Sequence, residues 1–320
     1  MANWNDLSSK LKTLIIKEMN LTTRKNLKLC SSSDKTLVES LKKEVEFVVW
    51  NSMMGMNSVE IDGIDYMAVR KNPTTIGIAK CKDSENMFMP NFLGKFEVPG
   101  VCAKKALVDV LKSILGPNHL VDVFHVRSDD DKILTNIAPF IKANRTFFGE
   151  NDGDLIKTVP MWLSMCLPTV EHVHITDVDH GCLEGLGTLE VCKTASAFIC
   201  MVKTDINDEQ LLEFEGKNME LVHSKITSNG VNRLIKKYLA NDYPIGRMCC
   251  IRMNFDWNVI SADLEMVEME DHVIRQEARL RINNDKELLI NRSYRSILLK
   301  VVETGGEFAW TIAEYGQPLF

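Results

Sequence analysis

The sequence predicts an α/β protein in which a short helical segment precedes alternating strands and helices and a terminal group of strands. Three observations support this class. Apolar residues recur at helical spacing through residues 1–45, strand-like runs alternate with helical stretches over residues 101–258, and strand patterns dominate residues 259–320. The 320 residues, 45% of them hydrophobic, suffice for one large domain or two medium ones with a packed core.

The net charge of −6 is distributed unevenly. Residues 1–45 carry nine Lys and Arg against five Asp and Glu, a balance of +4, so the remaining residues carry −10. An acidic body without a basic, aromatic-bearing stripe argues against a nucleic-acid-binding protein. Nine cysteines without a CxxC pair and a start without a leader pattern favour the cytoplasm or nucleus. The chain has no window of about 18 apolar residues, so we expect no membrane span.

Helical spacing is clearest in the first segment. The apolar positions of its first helix are Trp4, Leu7, Leu11, Leu14, Ile15 and Met19. After a predicted break at Asn20, a second helix carries Leu21 and Leu27, and the run from Ser31 to Asp34 separates it from a third helical stretch. Three short helices cannot bury a core alone, so the segment must pack on the rest of the chain or on a partner.

A longer residue order runs through the same segment. It comprises Leu7, Lys10-Leu11, Ile15-Ile16, Met19-Asn20-Leu21, Thr23-Arg24, Leu27, Cys30-Ser31, Asp34 and Leu37-Val38. This order resembles an F-box, and most closely the nematode type. The family usually has a proline after its leading leucine, whereas this chain has Ser8, which can cap the first helix instead.

The resemblance implies a module that binds a Skp-type adaptor and, through it, a cullin ubiquitin ligase. The implied adaptor-binding residues are Trp4, Leu7, Leu11, Leu14, Ile15, Met19, Leu21 and Leu27. The alternative is an ordinary amphipathic helical cap that packs on a globular domain of the same chain.

The next stretch, residues 46–100, predicts a small β region followed by a loop. Phe47 to Trp50 is an apolar run, Ser58 to Tyr66 alternates, and Thr75 to Ala79 is extended again, which together predict a small antiparallel sheet. Lys82 to Gly100 contains two prolines and two glycines and has no periodic pattern. We therefore expect a linker or flexible flap there.

Strands and helices are expected to recur over residues 101–258. After a helix at Ala103 to Leu115, strand-like runs begin near Val121, Thr146, Val170, Phe198, Met219 and Met248, at intervals of 21 to 29 residues. The helical stretches between them are Lys132 to Lys142, Asp154 to Cys166, Asp208 to Phe214 and Ser228 to Leu239. Such recurrence is typical of a degenerate leucine-rich-repeat-like β/α solenoid. An α/β sheet with irregular crossovers is the alternative.

A second residue pattern lies in this region. It comprises Leu211-Leu212, Met219-Glu220-Leu221, Ser224, Ile226-Thr227, Val231 to Leu239 and Asn241, with a further similarity at Pro160 to Leu163. The pattern resembles the nematode F-box-associated domain of type 2, with Tyr238 where that family usually has tryptophan. The resemblance covers most of residues 58–310 through loose motifs. It implies an F-box over residues 1–45 and a substrate-recognition domain over residues 46–320.

The last stretch, residues 259–320, predicts a β cap. Leu288 to Ile290 and Ile297 to Val302 form strand patterns, Gly305-Gly306 a hairpin turn, and Phe308 to Ile312 the returning strand. We expect this cap to close the exposed end of the solenoid.

No motif of a known catalytic centre is present. The chain contains no GxSxG, P-loop, GxGxxG or HExxH, so we expect neither an enzyme activity nor a cofactor. His172, His174, His180 and Cys182 form a cluster whose spacing matches no common zinc site, so we expect no metal. A ligase receptor needs no catalytic group, because the transfer chemistry lies in its partner proteins.

The apolar parity of the strands predicts one polar sheet face. If Phe124, Val126, Val173 and Ile175 face the helices, the opposite face carries His125, Arg127, His172, His174, His223 and Arg252. These six residues are the candidate substrate-binding set, and a face that is solvated or covered by the β cap is the alternative. Because histidine titrates near neutrality, we expect partner binding to change between roughly pH 6 and 7.

These observations favour a non-catalytic substrate-recognition subunit of an SCF-type ubiquitin ligase, which binds an unidentified protein and promotes its ubiquitination. A repeat-type scaffold or binding protein without ligase association is the alternative.

Overall fold

The structure is a computed structural model, and its architecture confirms the predicted α/β class. It describes residues 4, 7–18, 27, 29–39, 45–53, 56–72, 75–82, 91–99, 102–115, 119–128, 141–149, 155–164, 170–176, 182–222, 224–266, 268–272, 275–293 and 295–306. Contacts divide the chain into two compact units, Met1–Val202 and Lys203–Phe320, which we call unit 1 and unit 2. The domain boundary predicted after residue 45 stays a prediction.

Unit 1 combines an antiparallel meander with a parallel ladder. Its strands are β1 Val45–Met53, β2 Met56–Ile61, β3 Ile64–Asn72, β4 Thr75–Lys82, β5 Asn91–Pro99, β6 His119–Ser128, β7 Ile141–Phe148, β8 His172–Ile175 and β9 Ala197–Cys200. They lie in the order β9-β8-β7-β6-β1-β2-β3-β4-β5. Strand β1 pairs antiparallel with β2 and parallel with β6, so it joins the meander to the ladder.

The helices of unit 1 accompany these strands. They are α1 Ser9–Glu18, α2 Ser32–Glu39, α3 Ala103–Leu115, α4 Leu155–Ser164 and α5 Glu190–Thr194, with a 3-10 turn at Leu186–Thr188. Helix α3 contacts β2, β3 and β4. It confirms the helix predicted at Ala103 to Leu115, and α4 confirms the one predicted at Asp154 to Cys166.

The antiparallel sheet predicted from Phe47 to Ala79 is confirmed. Strands β2 and β3 meet in a two-residue turn, where Asp62 (φ 50°) and Gly63 (φ 77°) both have the positive φ of a tight hairpin. The Asp62 Oδ1 atom accepts hydrogen bonds from the backbone N–H groups of Glu46 and Phe47, each at 2.9 Å. This carboxylate therefore holds the start of β1 against the hairpin.

The loop expected at Lys82 to Gly100 is wrong for residues 91–99, which form β5 and pair antiparallel with β4. The alternating apolar residues of this strand are Phe92, Phe96 and Val98. Gly94 interrupts the alternation, and the pairing shifts register between Lys80 and Cys81. An irregularity of this kind and a terminal proline are tolerated at the border of a sheet, which hid the strand from pattern analysis. Residues 83–90 lie outside the described residues.

The parallel ladder contains the first four strands of the predicted repeat, since β6, β7, β8 and β9 pair in parallel. The helix expected at Lys132 to Lys142 is wrong at its end, because residues 141–142 begin β7. Ile141 continues the helical spacing of Ile137, so periodicity could not place the boundary. Residues 129–140 lie outside the described residues. This open mixed sheet agrees with the alternative of irregular crossovers.

Apolar side chains seal one face of the unit 1 sheet. Phe124, Val126, Val173 and Ile175, the four residues expected to face the helices, are fully buried. The Trp162 ring of α4 lies 5.4 Å from the Phe124 ring and 5.6 Å from the Phe148 ring, centroid to centroid. Such aromatic pairs add roughly 0.5–1.5 kcal/mol each beyond the burial of their surface. This packing places the even-numbered positions of β6 and β7 beneath α4.

Unit 2 has two parallel strands followed by an antiparallel meander. Its elements are α6 Asp208–Glu213, β10 Asn218–Val222, α7 Ser228–Ala240, β11 Met248–Arg252, α8 Trp257–Ile260, β12 Glu268–His272, β13 Arg275–Arg281, β14 Lys286–Ser293 and β15 Ser296–Glu303. The strands lie in the order β12-β13-β14-β15-β11-β10. The strands and helices predicted here are confirmed, except that the returning strand at Phe308 to Ile312 lies outside the described residues.

Three residues of the second resemblance stabilise α7. Thr227 caps the helix. The Asp208 carboxylate accepts hydrogen bonds from the Thr227 backbone N–H at 2.7 Å and from the Thr227 hydroxyl at 2.6 Å. Asn232 donates to the backbone carbonyls of Ile260 and Ala262 at 2.7 and 2.9 Å. Tyr238 is buried, and its hydroxyl accepts a hydrogen bond from Arg247 at 3.4 Å. These motif residues therefore hold helix α7 in its place.

The first turn of α7 requires glycine at position 230. A Cβ atom there would lie 3.0 Å from the Asp208 Cβ and closer still to its carboxylate. We expect Gly230→Ala to lower the free energy of unfolding by roughly 1–3 kcal/mol, although alanine favours a helix interior by about 1 kcal/mol. Chemical denaturation would measure this, with Asn229→Ala at the neighbouring exposed position as control. In an Asp208→Ala background, which removes the carboxylate but keeps the Cβ, the Gly230→Ala change should cost less, and a loss of equal size there would contradict the steric explanation.

Candidate functional site

The two N-terminal helices begin at serine caps. The Ser8 Oγ accepts a hydrogen bond from the Leu11 backbone N–H at 3.3 Å, so serine caps α1 as expected for the residue that replaces proline. The Ser31 Oγ accepts from the Asp34 backbone N–H at 3.0 Å. The predicted interruption from Ser31 to Asp34 is therefore confined to Ser31, because residues 32–34 already form the first turn of α2.

An internal hydrogen bond joins the two helical ends. The Trp4 indole N–H donates to Asp34 Oδ1 at 3.0 Å, and the Ser31 hydroxyl donates to Asp34 Oδ2 at 2.7 Å. These two donors hold the pKa of the Asp34 carboxyl below its usual value. The Lys12 ammonium lies 5.3 Å from the centroid of the Trp4 ring. Trp4 thus braces α1 against α2, a role that the sequence did not reveal for Asp34.

The residues expected to bind an adaptor are partly accessible. Leu11 is 44% exposed, and Leu29, which was not predicted, is 85% exposed. Those of intermediate exposure are Trp4, Leu7, Ile15 and Leu27. The side chain of Leu14 and the whole of Met19 and Leu21 lie outside the described residues. Ile16 and Val38 are buried, so the helical pair packs through these two and leaves other apolar side chains uncovered.

A row of rings crosses three neighbouring strands on the sheet face opposite Trp162. Strand register places His125 of β6, Phe147 of β7 and His174 of β8 side by side. The His125 and Phe147 rings are 6.1 Å apart, the Phe147 and His174 rings 5.5 Å, and both pairs meet edge to face. We call these three residues the imidazole row. His172 lies two positions before His174 on the same face of β8.

Charged side chains border the imidazole row at three places. Arg127 lies two residues beyond His125 on β6 and is in register with Asn51 of β1. On β7, Arg145 donates to Asp122 Oδ2 at 2.7 Å and is in register with His172. On the other side of β1, Glu60 of β2 and Asp65 of β3 lie in lateral register with His125. Burial and the charge of Asp65 raise the pKa of Glu60.

All three histidines of this face have lowered pKa values. Burial is the largest cause at His125 and, with the charges of Arg127 and His174, lowers its pKa to about 4. Burial and Arg145 lower the pKa of His172, with Asp122 acting in the opposite direction. Burial and His172 lower the pKa of His174. The expectation of titration between pH 6 and 7 is therefore wrong for His125, because a pKa of about 4 leaves its imidazole neutral there.

None of the three imidazoles forms a hydrogen bond with another residue in the part of the chain that the structure describes. His125 is only 9% exposed, whereas His172, His174 and Phe147 keep intermediate exposure. Thr176 and Gly149 lie at the carboxyl ends of β8 and β7, and a Cβ at Gly149 would meet the Thr176 hydroxyl at 2.9 Å. The row is therefore closely packed at this end and retains unused polar atoms.

The predicted substrate-binding residues fall in both units. Unit 1 brings together His125, Arg127, His172 and His174. Arg252 belongs to unit 2, where its Nε donates to Glu220 Oε1 at 2.8 Å. His223 lies outside the described residues. Phe147 was missed by the sequence analysis although it separates the two principal imidazoles, and only the strand register identifies it.

Both units contain buried thiols. Burial raises the pKa of Cys200 to about 12 and that of Cys250 to about 11, so both thiols stay protonated at neutral pH. Within the described ranges, no group of three or more His, Cys, Asp or Glu side chains is placed to hold a metal ion. Among those residues, no helix combines the length and apolarity needed to cross a bilayer.

Comparisons with known proteins add no assignment. No family model matches the chain, and neither the curated proteins nor the solved structures compared with it give a match.

The lowered pKa of His125 predicts a pH-dependent stability. With a pKa of about 4 in the folded chain against 6.5 in the unfolded chain, the unfolded state binds the proton first. The contribution of the neutral His125 side chain to the free energy of unfolding is complete above about pH 6.5. That free energy falls by roughly 2–3 kcal/mol as the pH falls toward 4. Denaturation midpoints of the wild type and His125→Gln should converge over this range. Glu60, whose raised pKa makes stability change with pH in the opposite direction, is present in both proteins and does not affect the comparison. Parallel curves of midpoint against pH would contradict the lowered pKa of His125.

Proposed function

We propose that this chain is the substrate-recognition subunit of an SCF-type cullin ubiquitin ligase. In this proposal the N-terminal helices form an F-box that binds a Skp-type adaptor, and residues 46–320 bind a protein target. Partner proteins perform the ubiquitin transfer, so the chain itself is not an enzyme. The order of residues that resembles an F-box, followed by residues that resemble its associated domain, supports this assignment.

One structural observation carries the adaptor-binding part of the proposal. Helices α1 and α2 are capped and joined through Trp4 and Asp34, yet Leu11 on α1 and Leu29, which precedes α2, remain exposed. Apolar side chains held outward on fixed helices provide a docking surface, because little further ordering is needed when a partner covers them. In this arrangement Trp4 contributes by bracing the helices, whereas Leu11 makes direct contact.

The proposed substrate-recognition domain has a repeat architecture. We infer a degenerate leucine-rich-repeat-like β/α array over residues 101–258 and a β cap over residues 259–320. The face that bears His125, Arg127, His172 and His174 would then bind the target. The cytoplasm and nucleus are the compartments in which such a ligase would act.

A scaffold or binding protein without ligase association is the second candidate. The burial of Ile16 and Val38 favours it, because these two apolar residues of the helical pair are already covered within this chain. Under this alternative the exposed leucines are ordinary surface residues, and no Skp-type adaptor binds. Adaptor binding by the intact chain separates the two candidates.

A single substitution tests the docking surface. We expect the full-length protein to bind a purified Skp-type adaptor, and Leu11→Ala to weaken that binding by about 2 kcal/mol, or roughly thirtyfold. Surface-immobilised protein and a titration of adaptor would measure the change. Ile245→Ala in unit 2 is the matched control, since Ile245 is 45% exposed against 44% for Leu11. The ligase assignment is overturned if the wild type binds no adaptor or if both variants lose the same affinity.

A further inference from the structure

At one end of its strand order, each unit has a strand with a described neighbour on one side only. In unit 1 this strand is β5, which pairs with β4, and in unit 2 it is β12, which pairs with β13. The outer edge of such a strand presents backbone N–H and C=O groups with which another strand can pair. The residues along the two edges decide which of them suits a second chain.

Strand β12 carries charges that oppose pairing with a copy of itself. Three of its five residues, Glu268, Glu270 and Asp271, are acidic. An antiparallel two-fold pairing centred on Glu270 would put this residue opposite its own copy. Moving the centre by one residue puts Glu268 opposite Glu270, or Asp271 opposite Asp271. Like charges directly opposite each other destabilise a strand pair, so the edge of unit 2 is protected against self-association.

Strand β5 has the reverse arrangement around Phe96, with Lys95 before it and Glu97 after it. An antiparallel two-fold pairing centred on Phe96 places Lys95 of each copy opposite Glu97 of the other. Opposite charges at such positions stabilise a strand pair, and the two-fold axis supplies the pair on both sides of the centre. Centring the pairing on Lys95 or Glu97 would bring like charges together. The charges of β5 therefore select one register.

Strand β4, the described neighbour of β5, carries no charge opposite these two residues. In the β4–β5 register, Lys95 lies opposite Ala79. Glu97 lies opposite Gly77 in the same register. An opposite charge directly across a strand pair must therefore come from the outer side of β5.

The centre of this register lies on the apolar side of the sheet. Phe96 is opposite Ile78 of β4, which is fully buried, and Val98 is opposite the buried Ile76. Residues opposite each other across a strand pair share a sheet face, so the positions of Phe96 and Val98 belong to the apolar face. A second copy in the Phe96-centred register would place the two Phe96 positions side by side. The pairing therefore joins apolar positions to apolar positions on this face.

We propose that the outer edge of β5 binds the β5 edge of a second copy of this chain, in an antiparallel two-fold pairing centred on Phe96. The sheet of the second copy then continues the sheet of unit 1, with backbone hydrogen bonds and a Lys95–Glu97 pair on each side of the axis. Pro99 has no N–H and ends β5, which confines the ladder to a short segment. A short ladder buries little surface, so the dimer is weak and its population rises with protein concentration.

Sedimentation velocity of the full-length protein over a concentration series tests the pairing. The wild type should pass from monomer to dimer. Lys95→Glu should raise the dimer dissociation constant roughly tenfold, because both cross-strand pairs become repulsive. Lys105→Glu, which makes the same charge change at an exposed position of α3, should dimerise like the wild type. A wild type that stays monomeric overturns the proposal, and so does equal dimerisation of the two variants.

A mixture of two charge reversals tests whether the partner is the same edge of a second copy. Lys95→Glu leaves two acidic residues in the pairing and Glu97→Lys leaves two basic ones, so each variant alone should dimerise weakly. The mixture restores both opposite-charge pairs, and a heterodimer should form with an affinity near that of the wild type. A mixture that dimerises no better than either variant alone overturns the proposal.

Disulfide formation tests the centre of the register even if a charge variant does not fold. Residues directly opposite in an antiparallel pair have Cα atoms about 4.5–5.5 Å apart, within the range of a disulfide. In a background that replaces the exposed thiols, Cys30→Ser with Cys102→Ser, Phe96→Cys should give a disulfide-linked dimer on mild oxidation. Lys95→Cys should not, because its copy lies two positions away along the ladder. Absence of a link through Phe96→Cys, or equal linking of both variants, overturns the proposal.

The self-association and the ligase role fail separately. A protein that binds the Skp-type adaptor but stays monomeric overturns the pairing at β5 and leaves the ligase role standing. A protein that dimerises through β5 but binds no adaptor overturns the ligase role alone.

Discussion

The packing of Trp162 against Phe124 and Phe148 is the interaction on which the face assignment of unit 1 depends. Because side chains alternate along a strand, burying one set beneath α4 directs the next residues to the other face. A register slip of one residue would exchange the two sets and expose the aromatic ones to water. The positions of His125 and Phe147 are therefore set by hydrophobic burial on the opposite side of the sheet.

This relation explains which parts of the candidate site the sequence could predict. Strand β8 and the stretch of β6 from Phe124 to Arg127 alternate between apolar and polar residues, so His125, His172 and His174 were assigned to the correct face. Strand β7 ends in two consecutive phenylalanines that point to opposite faces, and composition alone cannot distinguish them. The protonation of His125 was predicted wrongly, because it depends on burial by residues distant in the sequence.

The same distinction between local and distant information applies to the other elements. The Ser8 cap depends on a residue three positions away and was predicted, whereas the Trp4–Asp34 bond spans 30 positions and was missed. Strand β5 was missed because its pattern is broken at Gly94 and becomes recognisable only beside β4. In unit 2, Thr227 and Asn232 show that residues which suggest a family can have purely architectural roles.

Strand β1 has a consequence for how this fold can diversify. It shares backbone ladders with β2 on one side and β6 on the other, in opposite relative directions. Crossover segments can change length in related genes without altering either ladder, because they lie outside both. A one-residue insertion within β1 would instead turn the side chains of Val48 and Trp50 to the opposite face of the sheet, relative to β2 and β6 at once. Length variation among descendants of this chain should therefore accumulate between strands, and β1 should keep a constant length.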